Sequence, residues 1–73
     1  MTGDGVAKQI GRNIAEARKQ AGLSQYGLGL RLFMHPNEIS RLERGVGCPR
    51  LTTLMPIARG LKVPLTDLLR GIE

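Results

Sequence analysis

Apolar residues recur along this chain at the three- and four-residue spacing of an α-helix, and nowhere with the alternation of a strand. Val6, Ile10, Ile14, Ala17 and Ala21 share one face of a first helix, with Lys8, Arg12, Glu16 and Lys19 opposite. Met1 to Gly5 reads as a loose tail in which Asp4 is a candidate cap. Gly22 closes the first helix and Leu23 turns back onto the core. Ser24 is a good N-cap for a second helix, Gln25 to about Leu32, whose apolar face is Leu28 and Leu32. Gly27 and Gly29 weaken that helix by roughly 1 kcal/mol each, so packing must hold it, with Gly29 pressed on the next helix. Gly11 likewise marks close approach of another backbone. Phe33-Met34-His35 is long enough only for a turn. Pro36 then suits the first position of a third helix that runs over 36–44, buries Ile39 and Leu42, and stops at Gly45.

After a breaker-rich loop to Arg50, the spacing of Leu51, Leu54, Ile57, Ala58 and Leu61 predicts a fourth helix. Pro56 is awkward there, and the expectation is a late start capped by Thr52 or Thr53, or a kink. Pro64 opens a short fifth helix, Leu65 to about Arg70, stopped by Gly71. The fold class is therefore all-α: a compact five-helix bundle, one domain over residues 6–73 behind a tail over 1–5.

Composition narrows the function classes. Eleven Lys and Arg against six Asp and Glu give a net charge of +5, which suits a polyanion such as nucleic acid, although solubility alone also favours a net charge. One Cys and one His leave no set of N and S donors for a metal, so neither metal nor cofactor is expected. No run of about 18 apolar residues suggests a membrane span, and no leader is apparent, so a cytoplasmic location is expected. A single Tyr and a single Phe argue against a stacking platform for single strands. No Ser/His/Asp or Cys/His pairing stands at motif spacing, so an enzyme is not expected. Cys48, alone in a loop, reads as inert more readily than as a redox switch.

The pair of helices over 24–45 carries the specific signal. Two short helices joined by so tight a turn form a helix-turn-helix, whose second helix can enter a DNA major groove. The first residues of that helix and those one turn later face base edges; here they are Pro36, Asn37 and Arg41, flanked by Glu38 and Ser40. Asn suits adenine and Arg suits guanine, both bidentate. A solvated polar face would look similar, but Arg41 and Arg44 lie one turn apart on a helix that follows a capped partner. Ser24 and Gln25 sit at the positive end of the second helix, where backbone N–H groups can hold a phosphate. His35 suits a cap or a phosphate contact, and Arg18 with Glu43 suggests a salt bridge that turns Arg18 toward the DNA backbone.

These residues together resemble the Cro/CI-type (XRE) helix-turn-helix family. The resemblance runs from Ile10-Gly11 through Ile14, Arg18, Gly22-Leu23-Ser24-Gln25, Leu28, Ile39 to Gly45, Pro49, Leu51, Leu54, Ile57-Ala58, Leu61, Val63 and Leu65 to Leu69. It implies a lambda repressor-like domain that binds double-stranded DNA sequence-specifically, usually as a homodimer on a palindromic operator. By position it implies phosphate contacts from Gln25, Arg44 and Arg50, base reading by Asn37 and Arg41, and the Arg18–Glu43 pair. The chain departs from the pattern at Phe33, where a turn glycine is usual, at His35, where Ser or Thr is common, at Pro36, which offers no polar side chain, and at Pro56.

The reading is a transcriptional regulator, with Leu61, Val63, Leu65, Leu68, Leu69 and Ile72 as candidates for a dimer seam. Regulation is expected to come from abundance, operator spacing or a separate partner protein. The rivals are an antitoxin or adaptor whose main contact is another protein, and a non-specific DNA binder whose affinity falls with salt but barely varies with sequence.

Overall fold

Five helices follow one another in the computed structural model, which describes residues 3–72: α1 (Gly3–Gln20), α2 (Gln25–Leu32), α3 (Pro36–Glu43), α4 (Leu51–Leu61) and α5 (Leu65–Leu68). Ile10, Ile14, Leu28, Ile39, Leu54, Ile57, Ala58, Leu61 and Leu68 meet in one core to which every helix contributes. α1 packs against α3, α4 and α5, while α2 bridges α3 and α4. No helix among the described residues is long and apolar enough to cross a membrane.

α1 to α4 end in the same hydrogen-bonded stop. After each, one residue takes the left-handed conformation and the next donates its N–H to the carbonyl five positions back: Leu23 to Arg18, Met34 to Gly29, Val46 to Arg41 and Val63 to Ala58. This is the Schellman arrangement, which usually carries an apolar residue after the left-handed one. Gly22 and Gly45 fill the left-handed position for α1 and α3, as the sequence suggests. Phe33 and Lys62 fill it for α2 and α4, at φ 56° and 58°. A left-handed L-residue costs about 1–2 kcal/mol, so both turns are held by their surroundings against a local preference. For the Phe33 turn, Gly29 supplies part of the hold: a Cβ there would lie 2.5 Å from the Met34 carbonyl oxygen, so α2 presses on the turn rather than on the body of α3.

Four expectations about the elements are corrected. α1 includes Gly3, Asp4 and Gly5, so the expected tail is not a loop there, and Asp4 lies in the first turn, at the positive end of the helix. Met1 and Thr2 of that tail, and Glu73, lie outside the described residues. α3 ends at Glu43, with Arg44 as its C-cap. α5 stops at Leu68, two residues short of the expected end. α4 starts early, at Leu51, and keeps Pro56 inside it. Arg50 is its N-cap without a side-chain bond, because a guanidinium has no acceptor to offer; the Arg50 carbonyl receives the N–H groups of Thr53 and Leu54 at 2.9 and 3.0 Å. Pro56 is tolerated because it and Thr52, whose carbonyl loses its helical partner, both lie on the exposed face where water can serve.

Asn13 was not singled out from the sequence, although it falls inside the apolar stripe between Ile10 and Ile14. It is buried, and its Nδ2 donates to the carbonyls of Leu68 and Arg70, each at 2.9 Å. One amide thus ties the end of the short α5 to the middle of α1.

Pro56→Ala should restore the α4 hydrogen bond and raise stability by up to about 3 kcal/mol. A urea unfolding curve should show a higher midpoint at unchanged slope.

Candidate nucleic-acid interface

The placement of α3 is set from behind by α1. A Cβ at Gly11 would lie 2.5 Å from the carbonyl oxygens of both Leu42 and Glu43, so only glycine lets α1 and the last turn of α3 come this close. Gly45, past the end of α3, meets the Lys8 backbone in the same way. Beside this contact, Arg18 donates from Nε to Oε2 of Glu43 at 2.6 Å, from Nη2 to Oε1 at 3.0 Å, and from Nη1 to the Leu23 carbonyl at 2.8 Å. Gln25 adds a bond from Nε2 to Oε1 of Glu43 at 3.0 Å. The cluster joins α1, the first residue of α2 and the last residue of α3. The Arg18 and Glu43 side chains retain only 11% and 7% of their exposure. The hydrogen bonds that Arg18 donates to Glu43, together with that carboxylate's negative charge, raise the Arg18 guanidinium pKa above its ordinary value, against the pull of burial.

This geometry confirms the ion pair and bears on two other roles. Arg18 turns inward rather than outward: each of its three nitrogens donates to a group inside the protein. Gln25 is half-buried and donates one amide N–H to Glu43; the second N–H on the same Nε2 is the donor that a phosphate contact would use.

The outward side of α3 is polar. Asn37, Glu38 and Arg41 are exposed, while Pro36 and Ser40 are half-buried and Ile39 is fully buried. His35 is the N-cap, with Nδ1 accepting from the Asn37 N–H at 3.0 Å. The histidine therefore does the work of the more common Ser or Thr, and only its Nε2 edge remains for another contact. Ser24 caps α2 in the expected way, its Oγ accepting from the Gly27 N–H at 2.9 Å while its own proton stays available to donate. Arg44 and Arg50 are exposed at the end of α3 and the start of α4, with Arg44 Nε donating to the Ser40 carbonyl at 3.3 Å. Thus Ser24 and Gln25 belong to the start of α2, His35, Asn37 and Glu38 to the start of α3, Arg41 and Arg44 to its last turn and C-cap, and Arg50 to the start of α4. No group of three His, Cys, Asp or Glu that could hold a metal occurs among the described residues.

The apolar C-terminal residues, which the sequence cannot divide between core and seam, fall into two groups. Leu61 and Leu68 retain 5% and 0% exposure and belong to the core of the single chain. Val63, Leu65, Leu69 and Ile72 are partly buried and pack on that core, keeping some surface outside.

Residues 14–68 match the HTH_3 family, described as helix-turn-helix. No curated protein matches the sequence. Among solved structures, the chain is similar to an HTH_3 family transcriptional regulator from Vibrio cholerae, with a TM-score of 0.88 and 25% identity over 97% of this chain and 40% of that one. The chain therefore spans well under half the length of that protein. It is also similar in fold to the restriction-modification controller protein C.AhdI from Aeromonas hydrophila, with a TM-score of 0.80 and 24% identity over 85% of this chain and 94% of that one.

Arg18→Met should cost about 3–5 kcal/mol, because it strands the Glu43 carboxylate in a buried site. Arg18→Met/Glu43→Leu should recover most of that loss, since an apolar pair replaces the ion pair without leaving a charge behind. Urea unfolding of the single and double variants tests both outcomes.

Proposed function

The chain belongs to the HTH_3 helix-turn-helix family, and from that premise we propose that it reads double-stranded DNA sequence-specifically as a transcriptional regulator, with α3 in the major groove. The observation that carries this reading is the division of α3 into two faces. Ile39 and Glu43 fix the helix to the core and to Arg18, while Asn37, Glu38 and Arg41 stand together in solvent. A helix held so firmly on one side presents its polar groups in fixed directions, as base-edge hydrogen bonds require. In this reading Asn37 bonds adenine, Arg41 bonds guanine through O6 and N7, and Glu38 accepts from cytosine. Ser24, Gln25, Arg44, Arg50 and the Nε2 edge of His35 follow the phosphates on either side. The net charge of +5 supplies the salt-dependent part of the affinity. The protein acts by binding, not catalysis, and works inside the cell where its duplex is.

A homodimer on a palindromic site completes the proposal. Two copies related by a two-fold axis would set their α3 helices about 34 Å apart, one turn of DNA. Val63, Leu65, Leu69 and Ile72 are the seam residues that remain once Leu61 and Leu68 are assigned to the core.

A second reading, an adaptor or antitoxin that binds a partner protein, draws on one observation. Tyr26 and Leu30 are exposed one turn apart on α2 and the exposed Phe33 follows at its C-cap, which is more apolar surface than a solvated helix needs.

Selection from random duplex DNA tests the primary reading. The expected result is a preferred site made of two related half-sites. On that site Arg41→Ala should lose roughly 1–3 kcal/mol and relax preference at one base pair, whereas Gln25→Ala should weaken all duplexes alike. Selection of no site, with affinity that follows salt alone, would indicate a non-specific binder.

A further inference from the structure

Val46 breaks a rule that the rest of the chain keeps. The residues after the left-handed stops of α1, α2, α3 and α4 are Leu23, Met34, Val46 and Val63, all apolar, as this stop prefers. Leu23, Met34 and Val63 pack on the core. Val46 does not, and retains 46% exposure. It lines an open depression of about 200 Å³ together with Met34, Glu38, Arg41, Leu42 and Thr53. Met34, Leu42 and Val46 make the wall apolar, and Glu38 and Arg41, one turn apart on α3, form a polar rim. The hollow therefore opens beside Glu38 and Arg41, two of the three exposed side chains proposed above to read bases.

We propose that this depression receives the C5-methyl group of a pyrimidine, that of thymine or of 5-methylcytosine, in the major groove beside the base pair read by Arg41. The inference rests on the DNA-reading function proposed above and names part of its specificity. In the major groove the base edges offer hydrogen-bond donors and acceptors, with the pyrimidine C5-methyl as their apolar feature. An apolar hollow on a base-reading surface has that group as its complement. A phosphate is the poorer occupant: Arg41 and Thr53 could donate to it, but Glu38 on the same rim would repel it, and the wall of Met34, Leu42 and Val46 offers it no hydrogen bond. A carboxylate is compatible with base edges, where it can accept from the exocyclic amine of cytosine. Arg41 and Glu38 would then fix the register of the neighbouring pair, and the hollow would add discrimination that neither polar side chain supplies.

The test uses the duplex selected by the wild-type chain. Each thymine is replaced in turn by deoxyuridine, which removes only the methyl group, and each cytosine in turn by 5-methyldeoxycytidine, which adds one. If thymine is the occupant, one thymine per half-site should lose about fourfold in affinity as deoxyuridine, the equivalent of one buried methyl. If 5-methylcytosine is the occupant, one cytosine per half-site should gain by a similar factor on methylation. In either case Val46→Ser should abolish the methyl effect at that position while leaving the effect of Arg41→Ala intact. Val46 lies outside the core, so the substitution leaves the fold in place. Neutral substitutions at every thymine and cytosine, on a site still preferred over random duplex, would overturn the proposal and leave the DNA-reading function standing. A methyl effect that persists unchanged in Val46→Ser would also overturn it. Failure to select any preferred duplex would overturn both the proposal and the reading beneath it.

Discussion

The arrangement of this protein depends on how closely α1 can approach the last turn of α3. Gly11 allows the carbonyls of Leu42 and Glu43 to sit where a side chain would otherwise be, and Gly45 does the same against Lys8. Those close contacts bring Arg18 within bidentate reach of Glu43, and Glu43 then holds Gln25 at the start of α2. A buried ion pair is weak evidence for stability, because desolvation offsets much of the attraction. Its value here is geometric. The guanidinium fork accepts the carboxylate in one orientation, and three helices are locked in register by it. The polar face of α3 can act as a fixed pattern because its opposite face cannot rotate.

The same logic explains what the sequence makes legible. Helix existence follows from apolar spacing, and the glycine stops at 22 and 45 can be read directly. The stops after α2 and α4 cannot, because Phe33 and Lys62 take a conformation their side chains disfavour. What marks them is the apolar residue that follows, Met34 and Val63, since the stop is stabilised by its next residue as well as by its own backbone freedom. Pro56 misleads for a related reason. Its penalty is real in a buried helix face and smaller where water can reach the orphaned carbonyl, and residue identity alone does not reveal which face is outward. Asn13 is the converse case: a polar residue in an apolar stripe is a visible signal, but its partners lie on α5, far along the chain.

The candidate site divides similarly. Asn37, Glu38 and Arg41 follow from helical phase, and the structure leaves all three exposed. The pairing of Arg18 with Glu43 is also legible. That the pairing consumes Arg18 is not, because it depends on the Leu23 carbonyl supplying a third acceptor. Leu61 and Leu68 illustrate a limit of composition. In so short a chain the C-terminal leucines are needed to close the core over Ile10 and Ile14, and a sequence cannot apportion apolar residues between a core and a partner.

A domain this small has little apolar surface to spare, which gives weight to what it leaves outside. Phe33 is 98% exposed in a left-handed backbone conformation, so it carries conformational cost without recovering it by burial. Val46 has the backbone geometry that elsewhere sends an apolar residue into the core, yet it stays at the edge of α3. Neither residue is explained by the stability of the single chain. Phe33 opens the turn into α3, and Val46 follows the stop at the helix's end. The unrecovered apolar surface is thus placed at both ends of the helix whose polar face is held outward. A surface that reads DNA needs apolar as well as polar complementarity, and here apolar residues flank, before and after, the short helix that carries the polar ones.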